Sequence, residues 1–254
     1  MGNMATNDKP ETPLHPIAIS SVAELAAHQT DLDPELAAHL ETLPEGFEAV
    51  RHPLVYSVPH VSIFNHLLNQ QLLYKKSMIE QAANSGDWDT YICMHERPWR
   101  LWAFAQISDK LDDTTFWQLV GDIWVGCENV EQNRDDWDTI WTSNRKNRHA
   151  AMTAGETNEF NALADTLTIY QGHTTERDDG MSWTIDEKTA TWFAHRFAQL
   201  ERSTPAISAT TIRKQHALAY FTRRNEQEVI VARDTLGPIT THPARARHQK
   251  PRRQ

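Results

Sequence analysis

Ser182-Trp183-Thr184-Ile185-Asp186-Glu187-Lys188-Thr189-Ala190-Thr191-Trp192-Phe193-Ala194 is the stretch from which the rest of the chain can be placed. Thr184-Ile185-Asp186-Glu187 has the spacing of a capping box, in which a hydroxyl and a carboxylate three residues on satisfy free backbone N–H groups. Ala190, Phe193, Ala194 and Phe197 follow at helical spacing. Ser182-Trp183-Thr184 therefore opens a capped helix. Around it stand short runs of β-forming residues: Thr166 to Tyr170, Ile207 to Ile212, Leu218 to Phe221 and Glu228 to Val231. From about residue 150 onward the pattern is that of a compact α+β part.

Upstream, from about 60 to 150, the pattern is helical. Phe64, Leu67, Leu68, Gln71 and Leu72 begin a helix that runs to about Asn84, where Ser85-Gly86-Asp87 stops it and starts the next. That one carries Tyr91, Ile92, Met94 and His95. Pro98 interrupts, Trp99 to Leu111 resumes, and Asp112 or Asp113 can cap a further helix. There Phe116, Val120, Ile123, Trp124 and Cys127 make one apolar face. Asp-Trp-Asp-Thr occurs at 87–90 and 136–139, as two helix starts with acidic first turns rather than a repeat. Earlier still, Ser21 to Glu24 has capping-box spacing, and Asp33-Pro34-Glu35 puts proline at a first helical position. Pro53 and Pro59 bound an extended stretch. The organisation is a partly disordered N-terminal segment over 1–50, a helical region over 51–150, an α+β domain over 151–240 and a basic, disordered tail over 241–254.

Composition narrows the function classes. The 254 residues suffice for a sizeable core, and no apolar run approaches the ~18 residues of a membrane span. The polar start, Met1 to Pro16, lacks a signal-peptide pattern. Two cysteines, Cys93 and Cys127, suit a reduced, cytoplasmic protein rather than a disulfide framework. The 13 histidines show no ligand spacing, and His95-Glu96 lacks the second histidine of a zinc-protease helix, so no metal is expected. Glycine-rich nucleotide loops of the G-x-G-x-x-G or G-x-x-x-x-G-K type are absent. The net charge is −9 although the tail is basic, so the body is more acidic than the total. An acidic body argues against broad nucleic-acid binding. The tail, with Arg245, Arg247, Lys250, Arg252 and Arg253, could touch nucleic acid or an acidic partner.

The chemistry-bearing pattern lies near the C-terminus. Glu226-Gln227-Glu228 sets two carboxylates two apart at the mouth of the apolar run Val229-Ile230-Val231. In a strand such residues share a face, so both would look into one cleft. That suits an enzyme that stabilises a developing cation beside an acceptor.

Three elements stand in order: Tyr170-Gln171-Gly172 closing a strand, Ser182-Trp183-Thr184 opening the capped helix, and Glu226-Gln227-Glu228 on a late strand. Over about residues 165–235 this resembles the ADP-ribosyltransferases of the Arg–Ser–Glu class. Those have an aromatic-Arg-Gly-like first strand, a Ser-x-Ser/Thr strand, a helix often reading A-x-x-F-A and a Glu-x-Glu strand. The resemblance implies a split β core preceded here by the helical region, and NAD as substrate. It implies that Glu228 stabilises an oxocarbenium-like transition state through the ribose 2′-hydroxyl. Ser182 would hydrogen-bond and orient that carboxylate. Glu226 would engage the acceptor, with protein arginine favoured because a carboxylate pairs well with a guanidinium. Tyr170, Gln171, Gly172, Ser182 and Phe193 would line the NAD site, with the Gly172 backbone approaching the nicotinamide amide and Phe193 flooring its pocket.

Gln171 stands where the family has arginine, and glutamine keeps donors but loses the charge. Another cation could substitute: His173 and Arg177 are close in sequence, and Arg51 or Arg100 could come from the helical part. Two further readings stay open. One is a non-catalytic binding protein on the same fold. The other is an NAD glycohydrolase or a nucleic-acid ADP-ribosyltransferase guided by the basic tail.

Overall fold

The computed structural model describes residues 29–127, 130–174 and 180–244. The capping-box spacing at Ser21 to Glu24, Arg177 and the basic residues from Arg245 onward lie outside them. The protein is mixed α/β with two antiparallel sheets. It divides into two compact units, Met1–Gln106 and Ile107–Gln254, so the boundary falls inside the expected helical region.

In the first unit, helix α1 (Pro34–Ala37) starts as expected, with the Asp33 carboxylate accepting from Glu35 N–H and proline in the first turn. Strands β1 (Leu40–Thr42), β2 (Glu48–Arg51) and β3 (Tyr56–Ser57) form a small sheet in that order. Helix α2 (Asn65–Ser85) ends at Gly86, whose φ of 75° is the left-handed cap that glycine tolerates best. Helices α3 (Trp88–Cys93) and α4 (Arg100–Ala105) follow. Leu36, Val50, Leu54, Val55, Leu68 and Leu72 make the core of this unit. The sequence reading missed β1 and β2.

In the second unit, the Asp112 carboxylate accepts from Thr114 and Thr115 N–H and starts helix α5 (Asp113–Gly126). Its expected apolar face is buried at Phe116, Val120, Ile123 and Trp124. Helix α6 (Arg134–Trp141) presents Trp137 and Trp141, four residues apart and so on one face. Trp124 meets Trp137 edge-on at 4.9 Å and Trp141 at 5.6 Å. Helix α7 (Ala154–Ala162) opens on a capping box made by Thr153 and Glu156. Among the described residues no helix is long and apolar enough to cross a membrane.

The main sheet has six antiparallel strands in the order β7-β8-β5-β4-β6-β9. They are β4 (Thr166–Thr174), β5 (Ser182–Thr184), β6 (Pro205–Arg213), β7 (Ala217–Phe221), β8 (Glu228–Val231) and β9 (Thr240–Pro243). Helix α8 (Glu187–Glu201) packs on β4, β5 and β6. Its start corrects the sequence reading. Asp186, not Thr184, is the N-cap and accepts from Lys188 and Thr189 N–H. Thr184 belongs to β5, so Ser182-Trp183-Thr184 is itself a strand. Strand β9 takes in residues 241–243 of the expected tail.

Glu156 ties the second unit together. It is 2% exposed and accepts from Thr153, Thr222 and Arg223 backbone N–H and from the Arg223 side chain. Burial alone would raise its carboxyl pKa; the N–H donors of Thr153 and Thr222 and the Arg223 charge outweigh that and hold it below the ordinary value. A depressed carboxyl contributes stability above its unfolded pKa and loses it as pH falls through the folded pKa. Glu156→Gln is therefore expected to lower stability at neutral pH by about 2–4 kcal/mol. The loss shrinks as pH falls below about 4, a trend that thermal melts across a pH series would check.

Candidate active site

Sheet register decides what meets Glu228. Ala209, Tyr170, Thr184, Glu228 and Phe221 are successive cross-strand partners over β6, β4, β5, β8 and β7. Directly opposed residues share a face. Ser182 and Gly172, each two residues along, lie on that same face. Glu228 is 4% exposed. The Ser182 hydroxyl donates to its Oε1 at 2.5 Å, and the Trp124 indole N–H donates to the same oxygen at 3.1 Å. Arg224 Nη2 donates to Oε2 at 3.1 Å.

Burial raises the Glu228 carboxyl pKa above the ordinary glutamate value, and the nearby Glu226 carboxylate adds to the rise. The Arg224 charge and the bonds from Ser182 and Trp124 pull the other way without cancelling it. A carboxylate so placed is preorganised: its oxygens are aimed by donors from β5, α5 and the turn between β7 and β8, which is what electrostatic stabilisation of a nearby cation requires.

Glu226 arrives differently from the sequence expectation. Strand β8 begins only at Glu228, and Asn225 (φ 57°) and Gln227 (φ 46°) are both left-handed. Strand alternation therefore does not extend back to Glu226. The Thr184 hydroxyl donates to Glu226 O at 2.7 Å, and Ile185 N–H donates to Gln227 O at 3.2 Å, which fix the segment against β5. The two carboxylates are brought together by Arg224. Its Nε meets Glu226 Oε2 at 2.9 Å while Nη2 holds Glu228. Its Nη1 donates to Val125 O and Cys127 O at 3.2 Å each.

Gln171, one residue beyond Tyr170, points to the opposite face by strand alternation. Its amide N–H donates to Ser182 O at 2.9 Å, and its carbonyl accepts from Gly180 N–H at 3.3 Å. It acts as a clamp on the backbone that carries Ser182. Tyr170 packs on the Ala190, Ala194 and Ile207 cluster beneath α8. Gly172 is a close-approach site for α8: an added Cβ would lie 1.9 Å from Ala190 O and 2.7 Å from Ala194 N. Phe193 is half-buried on α8, 4.9 Å from Trp192 and 5.8 Å from Phe197 in ring centroids.

Of the substitute cations suggested by sequence, the three among the described residues have other partners. His173 accepts from the Ser208 hydroxyl at 2.8 Å through Nε2 and donates to Thr174 O through Nδ1. In the first unit, Arg51 pairs with Glu41 and Arg100 donates to His95 O. Arg224 is the cation beside Glu228, and the sequence reading missed both it and Trp124. No local signal singled out Trp124, since the equally buried indoles of Trp117, Trp137 and Trp141 bond to no partner. Among the described residues no group of three or more His, Cys, Asp or Glu is arranged to hold a metal ion. No protein-family model, no curated protein and no solved structure matches the chain.

Proposed function

We propose that the protein is an NAD-dependent mono-ADP-ribosyltransferase whose second unit has an ADP-ribosyltransferase-like core. The observation that carries this reading is the bond from Ser182 Oγ on β5 to Glu228 Oε1 on β8. It is the contact that the Ser–Glu resemblance requires, between residues 46 apart in sequence. In this reading NAD is bound with its nicotinamide ribose beside Glu228. The bond between ribose C1′ and the nicotinamide nitrogen breaks, and its electron pair leaves with nicotinamide. The ionised Glu228, aimed by Ser182, Trp124 and Arg224, stabilises the cationic ribose through its 2′-hydroxyl. A nucleophile then bonds to C1′ and gives up a proton. Gln171 takes no phosphate in this account; it holds the Ser182 backbone. Protein arginine remains the favoured acceptor, with Glu226 receiving the proton.

A second reading, NAD glycohydrolysis with water as acceptor, is favoured by one observation: Glu226 is already paired with Arg224. Incubation with radiolabelled NAD and a cell lysate separates the two. Label on protein supports transfer to a macromolecule, and free ADP-ribose alone supports hydrolysis.

Ser182→Ala tests the positioning role. Losing a hydrogen bond to a charged group costs about 1.5–3 kcal/mol. Nicotinamide release is expected to fall by about 10–100-fold, and because the same bond is present in the resting fold the melting temperature falls by roughly several degrees. An unchanged rate would remove Ser182 from the mechanism.

A further inference from the structure

The four contacts of Arg224 describe a receptor for a guanidinium. Glu226 and Glu228 offer one carboxylate oxygen each, and the Val125 and Cys127 carbonyls complete the set. Both glutamates are nearly buried, at 7% and 4% exposure. Two carboxylates so close and so poorly solvated require a cation between them, and a planar fork of N–H donors fits that arrangement better than a point charge. The Arg224 side chain itself remains 28% exposed, so the occupant sits at the edge of the site, not in its depth. It meets residues two and four along the chain, and the intervening Asn225 and Gln227 are both left-handed. Such backbone states in non-glycine residues cost free energy and cluster at functional positions.

We propose that these groups form a guanidinium site that the chain fills with its own Arg224, which therefore acts as an internal occupant of the acceptor position. An external guanidino group reaches Glu226 only when Arg224 leaves. The binding part stands on this geometry alone. The consequence for transfer rests on the proposed function: with Arg224 in place NAD cleavage ends in hydrolysis, and with it displaced a guanidine nitrogen bonds to ribose C1′. In that step the nicotinamide leaves with the electron pair of the broken bond, and the guanidinium proton passes to Glu226.

The test is thermal melting of wild type and Arg224→Ala in millimolar methylguanidinium chloride, with methylammonium chloride as the charge-matched control. The expected result is a rise of several degrees for Arg224→Ala in methylguanidinium only, none for wild type, and loss of the rise in Arg224→Ala/Glu226→Gln. Stabilisation confined to the bound state follows from linkage. If Arg224→Ala does not fold alone, refolding in methylguanidinium but not methylammonium supports the site equally. A folded variant indifferent to methylguanidinium, or one that neither salt rescues, overturns the proposal. A second arm measures the ratio of ADP-ribose transfer to agmatine over hydrolysis, expected to rise at least tenfold in Arg224→Ala even though loss of the Arg224 bond to Glu228 lowers total NAD cleavage; an unchanged ratio overturns the consequence for transfer. Methylguanidinium binding without any nicotinamide release would leave the guanidinium site standing and reject the NAD reading instead.

Discussion

Gly172→Ala is expected to destabilise the second unit strongly. The new Cβ would lie 1.9 Å from Ala190 O and 2.8 Å from Ala190 C, and these are backbone atoms of α8. A flexible side chain could turn aside; a helix backbone must move as a body. Overpacking of this kind costs about 3 kcal/mol, at the upper end of its usual range, and lowers the melting temperature by roughly 6–12 °C. Gly155→Ala is the control. There the nearest atom to an added Cβ is Thr153 Oγ1 at 3.9 Å, and alanine replaces glycine in a helix. That substitution is expected to be neutral or to stabilise by about 0.5–1 kcal/mol. Differential scanning calorimetry of the pair would check both. Equal melting temperatures would mean that α8 does not rest on β4 as described.

Glu228→Gln is expected to separate activity from stability. The substitution keeps the shape of the side chain and its bonds to Ser182 and Trp124 within reach, but removes the charge that a developing cation needs. Nicotinamide release should fall by at least about 10²–10³, the effect of losing a preorganised electrostatic group. Stability should not fall with it. Because burial raises the Glu228 pKa, ionisation costs more in the folded than in the unfolded chain and works against folding as pH rises from the ordinary carboxyl range through the raised value. The variant should therefore melt no lower than wild type at neutral pH, with its relative advantage vanishing in acid, where both side chains are uncharged. In wild type the same raised pKa predicts that activity is lost on acidification at a pH above the ~4.3 of an ordinary glutamate. A rate independent of pH down to 4 would contradict the role given to this carboxylate.

What the sequence made legible was local chemistry. Asp87 and Asp112 cap helices because short carboxylates reach the free N–H groups of a first turn, a rule written in three or four residues. The α5 face at Phe116, Val120, Ile123 and Trp124 was readable for the same reason. Strands β4, β6, β7 and β8 were marked by β-branched and aromatic runs. Strand β9 was not: Thr-Thr-His-Pro is polar and largely exposed, and becomes a strand through its pairing with β6 at the sheet edge. β1 and β2 are similarly short, and pairing rather than composition makes them strands.

In the site, the Ser182–Glu228 bond was expected from a motif resemblance and is present. The bond from Trp124 to Glu228 joins residues 104 apart, which no local pattern encodes. Arg224 escaped notice for a different reason. It stands in a turn with two left-handed residues, Asn225 and Gln227, and neither is a glycine that would have flagged the turn. The strand reading of Glu-x-Glu put both carboxylates together by alternation; the fold achieves it with a guanidinium.

In the proposed mechanism Glu228, held by Ser182, Trp124 and Arg224, promotes the cleavage of NAD. The measurement that meets it most directly is the rate of nicotinamide release from NAD by wild-type protein, with and without a cell lysate, beside Glu228→Gln at the same concentration. The account predicts release by wild type that the substitution abolishes. No release by folded wild-type protein under either condition, or equal release by both proteins, would contradict it.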